Sequence, residues 1–400
     1  MPEAPTSVTR EAVNGSAPGP ARLETRRVTF VTDIPTPYML EVLKALAELV
    51  DLTVLFCSPT GSRGLPWSPS EALPFSHRMI DGLTIRSGAP DRPDYYLSPR
   101  ILTALVRSRP DAVISAGYSI PTGYAAIHCR LRRAPLIIYS DGTSHYESGL
   151  GRHQMIAREI LLRAASACVA KSKPAAERFV ELGASPDRVF LAPHSSTLDR
   201  LWQIARERSY EGGETFTILT AGRLVAHKGV DKLLLALATT RSDHPEIRLV
   251  VVGTGPEEAR LRHLAASLGL ERVEFAGFVD HADMPARYAE ADAFAFPTLE
   301  DPFGIVLLEA AAAGLPLVAS PHGGATWDLI GDEGGGLIVD PCDTAALAGA
   351  LVGLADHPAR RRDLGRRAHE ATLGRSPMDS ARGYVSAIET ALRSPGRAKP

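Results

Sequence analysis

Phe216-Thr217-Ile218-Leu219-Thr220-Ala221-Gly222-Arg223-Leu224-Val225-Ala226-His227-Lys228-Gly229-Val230 is the stretch that decides how this chain folds. Its first five residues form a short apolar, β-branched run, the pattern of a buried strand. From Val230 to Ala238 the aliphatic density is that of a packed helix. Arg223 and Lys228 fall in the loop between, flanked by glycines that let a backbone approach a ligand closely. A helix N-terminus offers free N–H groups and partial positive charge, so a phosphate is the natural occupant of a site with two cations. Taken alone, the same spacing also fits two solvated loop charges.

A second strand-to-helix junction follows at Phe294-Ala295-Phe296-Pro297-Thr298-Leu299-Glu300-Asp301-Pro302-Phe303-Gly304-Ile305-Val306-Leu307-Leu308-Glu309-Ala310. Asp301 lies in the loop and Glu309 within the helix, about two helical turns further on. Glu309 interrupts an aliphatic, alanine-rich stretch that should be buried, and a buried carboxylate needs a partner. A ribose diol would supply two donors. A buried Arg or backbone amides would serve as well.

With these elements the sequence resembles the retaining, nucleotide-sugar-dependent glycosyltransferases of family 4, over roughly residues 27 to 390. The resemblance rests on the G-R-x4-K-G run, the loop Val251-Val252-Gly253-Thr254-Gly255-Pro256, Gly277-Phe278-Val279, the paired acids and Gly323-Gly324, all in the expected order. It implies the α/β GT-B architecture: two Rossmann-like, doubly wound parallel-sheet domains facing a cleft. It also implies that Arg223 and Lys228 bind the donor diphosphate, that Glu309 holds the ribose hydroxyls and that Asp301 contacts the transferred sugar. Gly222, Gly253, Thr254 and Phe278 would line the donor site, with Phe303, Gly304, Ile305 and Val306 at the start of the second helix. Retention would proceed by front-face attack, with the leaving phosphate accepting the acceptor's proton and no protein nucleophile.

The chain departs from the family pattern at several points. Asp301 stands where Glu is usual, one methylene shorter, with Glu300 beside it. Beyond Gly323-Gly324, where an acid is common, the chain has Trp327 and then Asp328. A glycine-rich loop after the first strand is replaced by Asp33-Ile34-Pro35-Thr36-Pro37-Tyr38, which puts Tyr38 on the acceptor side. Ser140-Asp141-Gly142-Thr143-Ser144-His145 occupies the place where relatives put a histidine facing the sugar. Asp141 is the first candidate there and His145 the second, although Asp141-Gly142 also reads as a plain turn.

Charge argument supplies the mechanism. Negative charge grows on the departing diphosphate as an oxocarbenium-like sugar forms, and fixed cations in a water-shielded site stabilise it. Arg can fork across two oxygens while Lys acts as a point charge. Together they can replace a metal ion. No D-x-D follows a strand, and Asp280-His281-Ala282-Asp283 has the wrong spacing, reading as a solvated helix cap. The expectation is therefore no metal and no cofactor, only a nucleotide-sugar donor and a hydroxyl acceptor on a glycan, a lipid or a small molecule.

Short aliphatic strands alternating with amphipathic helices argue for parallel α/β units. The first half offers strands at 27–32, 52–56, 112–115, 136–139 and 167–170, with a helix near 38–49. Strands at 216–220, 247–252, 273–276, 293–296, 315–319 and 336–339 follow. The expected organisation is a disordered tail over 1–25, an acceptor domain over 26–205, a donor domain over 206–376 and a helix at 377–393 returning to the first domain. Glu211-Gly212-Gly213 would be the linker, and the Pro- and Gly-rich loop 58–75 would form part of the acceptor site. Arg223, Gly253, Thr254, Gly277, Asp301 and Gly323 each fall just after a strand, on the rim where open parallel sheets bind ligands.

Among 400 residues, 44% are hydrophobic and 22% charged, as in ordinary globular chains, and the net charge of -2 gives no field for nucleic acid. Cys57, Cys129, Cys168 and Cys342 lack metal-ligand spacing and read as buried thiols of a reducing compartment. A cytoplasmic enzyme is expected, with no apolar stretch long enough to span a bilayer. The basic run Arg360-Arg361-Arg362 with Arg366-Arg367 has two readings, a contact with an anionic membrane face or a solvated helix face. Two other functional readings stay open: a GT-B sugar-nucleotide epimerase or phosphorylase, and a catalytically silent nucleotide-sugar-binding subunit.

Overall fold

Residues along Arg27–Thr32 alternate between two apolar layers, which is why this segment becomes a central parallel strand. In the computed structural model, which describes residues 23–58, 72–85, 95–210, 214–331 and 334–393, β1 (Leu23–Thr32) sends Val28 and Phe30 into one core and Val31 into the other. The first core is completed by α1 (Pro37–Ala47) and the last helix, α13 (Pro377–Arg393). The second lies under α2 (Arg100–Ser108), α3 (Ile120–Arg132), α4 (Arg152–Ala164) and α5 (Lys173–Glu181). With β2 (Val50–Phe56), β3 (Ser76–Met79), β6 (Ala112–Ala116), β7 (Leu136–Ser140), β8 (Ala167–Ala170) and β9 (Val189–Leu191), the sheet order is β3-β2-β1-β6-β7-β8-β9. A small hairpin, β4 (Leu83–Ile85) with β5 (Tyr95–Leu97), stands apart from it.

The second sheet repeats this logic. β10 (Phe216–Ala221), β11 (Ile247–Val252), β12 (Val273–Gly277), β13 (Ala293–Phe296), β14 (Leu317–Ala319) and β15 (Gly336–Ile338) run parallel in the order β12-β11-β10-β13-β14-β15. One face packs on α6 (Asp199–Glu207), α9 (Met284–Glu290) and α10 (Ile305–Ala312). The other packs on α7 (Val230–Thr240), α8 (Glu258–Ser267) and α11 (Thr344–Ala355). α12 (Pro358–Glu370) follows α11. Strand order reverses direction between β10 and β13, and the loops leaving their carboxyl ends diverge there to open a binding crevice.

Two compact units result. Unit 1 holds residues 1–142, 149–194 and 377–400, and unit 2 holds 143–148 and 195–376. The crossover thus falls at His194/Ser195 and not near 205, because Leu198 and Leu201 join the apolar cluster of unit 2. Strand β1 begins at Leu23, inside the stretch expected as tail, since Leu23 pairs with Val50. β14 starts only after Pro316, which has no N–H to give the ladder. The linker at 211–213 and residues 59–71 of the expected acceptor loop lie outside the described residues.

Candidate active site

Arg223 and Lys228 come together at the switch point of the second sheet. Both line one pocket with Gly222, Val230, Val252 and Pro297, at the carboxyl ends of β10, β11 and β13. The loop after β10 makes a 3-10 turn at Ala226–Lys228 and is tied to the loop after β13: Leu299 N donates to His227 O at 2.7 Å, and Thr298 Oγ1 donates to the same carbonyl at 3.1 Å. That tether places Lys228 Nζ 2.6 Å from Asp301 Oδ2. Asp301 is itself held by Phe303 N, which donates to Oδ1 at 3.1 Å. Lys228, in the pocket lining, is therefore paired with the first acid, which stands behind it.

The glycines have a different task from the one their positions suggest. At Gly229 (φ 65°) a Cβ would lie 2.0 Å from Pro297 O, and at Gly253 (φ 125°) 1.9 Å from Gly222 O. These two let loops pack on each other; Gly222, lining the pocket, has nothing within 4 Å of its would-be Cβ. Thr254 is exposed, its carbonyl accepting from Leu224 N, while Phe278 leaves 73% of its surface open after β12. Gly304, Ile305 and Val306 open α10, with Phe303 buried beneath them.

Glu309 is 5% exposed in α10. Among the described residues its partners are neither an arginine nor backbone amides. Tyr288 Oη donates to its Oε2 at 2.9 Å, Ser196 gives a side-chain hydrogen bond, and His281 Nδ1 stands 3.7 Å from Oε1. Burial raises its pKa, partly offset by His281, Tyr288 and Ser196. His281 therefore contributes to this site although its Asp-His-Ala-Asp setting reads as solvent-facing. Tyr288 looks like core from its helix, and nothing in the sequence ties either residue or Ser196 to Glu309. Asp328 turns away to a buried ion pair with Arg375 at 3.2 Å.

His145 packs on the loop after β13. The segment 143–148 is part of unit 2 and not of unit 1, where the acceptor side is expected. His145 Nε2 donates to Leu299 O at 2.9 Å, and its ring stacks on His322 at 4.1 Å. Burial and the neighbouring His145 hold the pKa of His322 down.

In unit 1 a separate polar cluster gathers where β1, β7, β8 and β9 end. Asp141 Oδ2 lies 3.8 Å from His194 Nε2, and Tyr38 meets the His194 ring edge-on at 5.7 Å. Lys171, 1% exposed, sits over the Tyr384 ring at 4.6 Å. Burial and the Asp141 charge push Asp33 up to about 6. Burial would raise Asp141 as well, but His194 and Lys171 outweigh it and keep its pKa low. Lys171 itself is pushed down to about 7 by burial, against the pull of Asp141. A charged residue directly after the run 167–170 was the available signal for Lys171.

One trio among the described residues could hold a metal ion: His244, Glu246 and Asp356, with ligand atoms within 4.8 Å of one another. His244 Nδ1 is 3.1 Å from Glu246 Oε1 and 3.7 Å from Asp356 Oδ1. It lies before β11, at the opposite end of that strand from the pocket, and takes no part in it. The basic run on α12 is largely occupied by the protein: Arg361 is buried and donates to Leu354 O, while Arg366 and Arg367 pair with Asp363 and Arg366 also with Glu370.

Residues 203–371 match the family of glycosyl transferases group 1, and residues 35–194 match the glycosyl transferase 4-like domain. The chain belongs to glycosyltransferase family 4. Over 168 residues it is 36% identical to a GDP-mannose-dependent alpha-(1-6)-phosphatidylinositol monomannoside mannosyltransferase of Mycolicibacterium smegmatis, covering 40% of this chain and 44% of that one. A glycogen synthase of Mycobacterium tuberculosis is 37% identical over 159 residues, 40% of this chain and 38% of the relative. The match thus spans less than half the length of these curated relatives. Among solved structures, Anabaena HepE in complex with UDP and glucose superposes with a TM-score of 0.71 at 18% identity, over 91% of this chain and 99% of that one. WaaG, a glycosyltransferase involved in lipopolysaccharide biosynthesis, gives 0.63 at 18% identity, over 90% and 99%. At such identity the likeness is one of fold, and the fold of this family 4 chain is GT-B.

Proposed function

We propose that this chain is a retaining glycosyltransferase, moving a sugar from a nucleoside-diphosphate donor to a hydroxyl acceptor without a metal ion. The observation that carries the reading is the convergence of Arg223 and Lys228 on one pocket at the switch point of the second sheet. Arg223 forks across the diphosphate, and Lys228, aligned in advance by Asp301, meets the charge that grows on the leaving oxygen. Asp301 then contacts the sugar, Glu309 accepts from the ribose hydroxyls, and exposed Phe278 offers a face to the base. Asp141 and Tyr38 serve the acceptor, whose proton passes to the departing phosphate. The named relatives differ in donor and acceptor, so neither sugar nor acceptor transfers from them.

All four cysteines are free, as a cytoplasmic enzyme's would be, though only three are buried as expected and Cys342 is exposed; burial pushes Cys129 and Cys168 up to about 12, leaving them unreactive. Among the described residues no helix is long and apolar enough to cross a membrane.

Thermal shift with nucleoside diphosphates and their sugars, followed by turnover with the stabilising donor, tests the assignment. Arg223→Ala and Lys228→Ala should each lose on the order of 10²- to 10³-fold in turnover, with unfolding temperatures near wild type. Glu309→Gln should chiefly weaken donor binding. Full turnover in either cation variant would remove the basis of the reading.

A further inference from the structure

Unit 1 carries a concentration of positive charge that glycosyl transfer does not use. α2, α3 and α4 lie side by side over one face of its sheet. The three helices contain seven arginines and one acid, Glu159, in a chain whose net charge is -2. Glu159 is already matched by Arg163 at 3.9 Å. Arg107, Arg130, Arg132 and Arg152 are exposed, and none has a carboxylate partner among the described residues. Arg109 and Arg133 cap α2 and α3 in the left-handed region, at φ 47° and 54°, where glycine is least strained. A cation at a helix C-terminus complements the dipole. That accounts for one charge at each end and leaves the others unexplained.

Aliphatic side chains lie among these charges. Ile127 and Leu131 on α3, and Ile156 and Ile160 on α4, form two exposed pairs four residues apart, so each pair makes a stripe on one helix face. Leu131 is 78% exposed. α4 buries only Leu162, leaving most of its circumference outward. Single exposed aliphatics need no explanation, whereas aliphatic stripes edged by arginine are the pattern of helices that lie in a bilayer interface.

We propose that the outer face of α2, α3 and α4 docks on an anionic lipid bilayer. Arginines reach the lipid phosphates while the stripes enter the boundary between headgroups and acyl chains. Arginine alone would suit any polyanion. Aliphatic stripes between the arginines help only where a hydrocarbon phase lies beyond the charges, and this selects a membrane over an acidic peptide. The basic run on α12 offers no equivalent: Arg360 and Arg362 are exposed, but none of the exposed large hydrophobics among the described residues lies on that helix to make an aliphatic stripe.

Full-length protein floated with vesicles of phosphatidylcholine, with or without phosphatidylglycerol, tests this directly. Binding should require the anionic lipid and weaken as salt screens it. The triple change Arg130→Glu, Arg132→Glu, Arg133→Glu should lower partitioning at least on the order of 100-fold. Ile156→Ser with Ile160→Ser should also release the protein, whereas Arg360→Glu with Arg362→Glu should leave binding intact. Absence of flotation with the anionic vesicles, equal binding to phosphatidylcholine alone, or equal loss in the α12 variant would overturn the proposal. So would a concentration-dependent dimer broken by the Ile156 and Ile160 changes, which would assign the face to a second copy. Vesicle binding is read without nucleotide, so its failure leaves the donor-site reading untouched, and a missing nucleotide shift leaves this one untouched.

Discussion

Lys171 is a basic side chain held almost wholly out of water. Fully enclosed and set over Tyr384, it gains from the ring face and from the Asp141 charge, yet burial outweighs both and its proton is released near pH 7. In the unfolded chain the same amine holds its proton to about 10.5. Between those values the unfolded state binds the extra proton, so raising the pH across that window stabilises the fold, and the gain is lost as pH falls through about 7. Asp33 acts in the opposite sense lower down: its raised pKa means that stability present below 3.8 is lost as pH rises through about 6. Lys171→Met should abolish the upper slope, an effect on the order of a few kcal/mol across the window. Denaturant titration of unit 1 at several alkaline pH values measures it, and an unchanged slope in the variant would assign the pH dependence elsewhere.

Loops after β10 and β13 form one element of the site because Gly229 lets them touch. A methyl group there would meet Pro297 O and would also have to sit at φ 65°. Gly229→Ala should therefore destabilise unit 2 by about 2–4 kcal/mol and displace Lys228 from Asp301, lowering turnover. Gly123→Ala in α3, where nothing lies within 4 Å, should be neutral or stabilising by up to about 1 kcal/mol. Equilibrium unfolding of the pair separates a packing role from a general intolerance of change. The same loops show what sequence can and cannot carry. β10 and the start of α7 were readable because a strand buried on both faces is a continuous apolar run, and Arg223 and Lys228 were readable because five positions separate them. β3, reading Ser-His-Arg-Met with all four residues exposed, has no apolar pattern and is held by backbone pairing to β2. Glu309 announced a need for partners, but Ser196, His281 and Tyr288 reach it from separate elements that only the sheet order brings together. The interruption of unit 1 by residues 143–148 left no periodic signal at all.

Chain path, finally, sets how the molecule comes apart. After His194 the chain leaves unit 1, builds most of unit 2, and returns at Pro377. α13 then fills the core beside α1, burying Tyr384, Val385, Ile388 and Ala391 against Phe30 and its neighbours. Gly383 marks how closely it docks: a Cβ there would stand 2.1 Å from Leu191 O, at the end of β9. Each large apolar side chain in such a place contributes roughly 1.5–3 kcal/mol, so the helix as a whole is worth on the order of 10 kcal/mol, comparable to the entire stability of an ordinary domain. Removing residues 377–400 should therefore unfold unit 1 while leaving unit 2, whose sheet and pocket lie wholly within 195–376, with its own cooperative transition. Scanning calorimetry should show one transition in the truncated chain where the full chain shows the contributions of both units. Because the pocket at Arg223 and Lys228 stays with the surviving unit, a nucleoside diphosphate that stabilises the full chain should still raise that transition. Retention of both transitions after truncation would mean that unit 1 folds without its last helix, and loss of both would mean that unit 2 cannot stand alone.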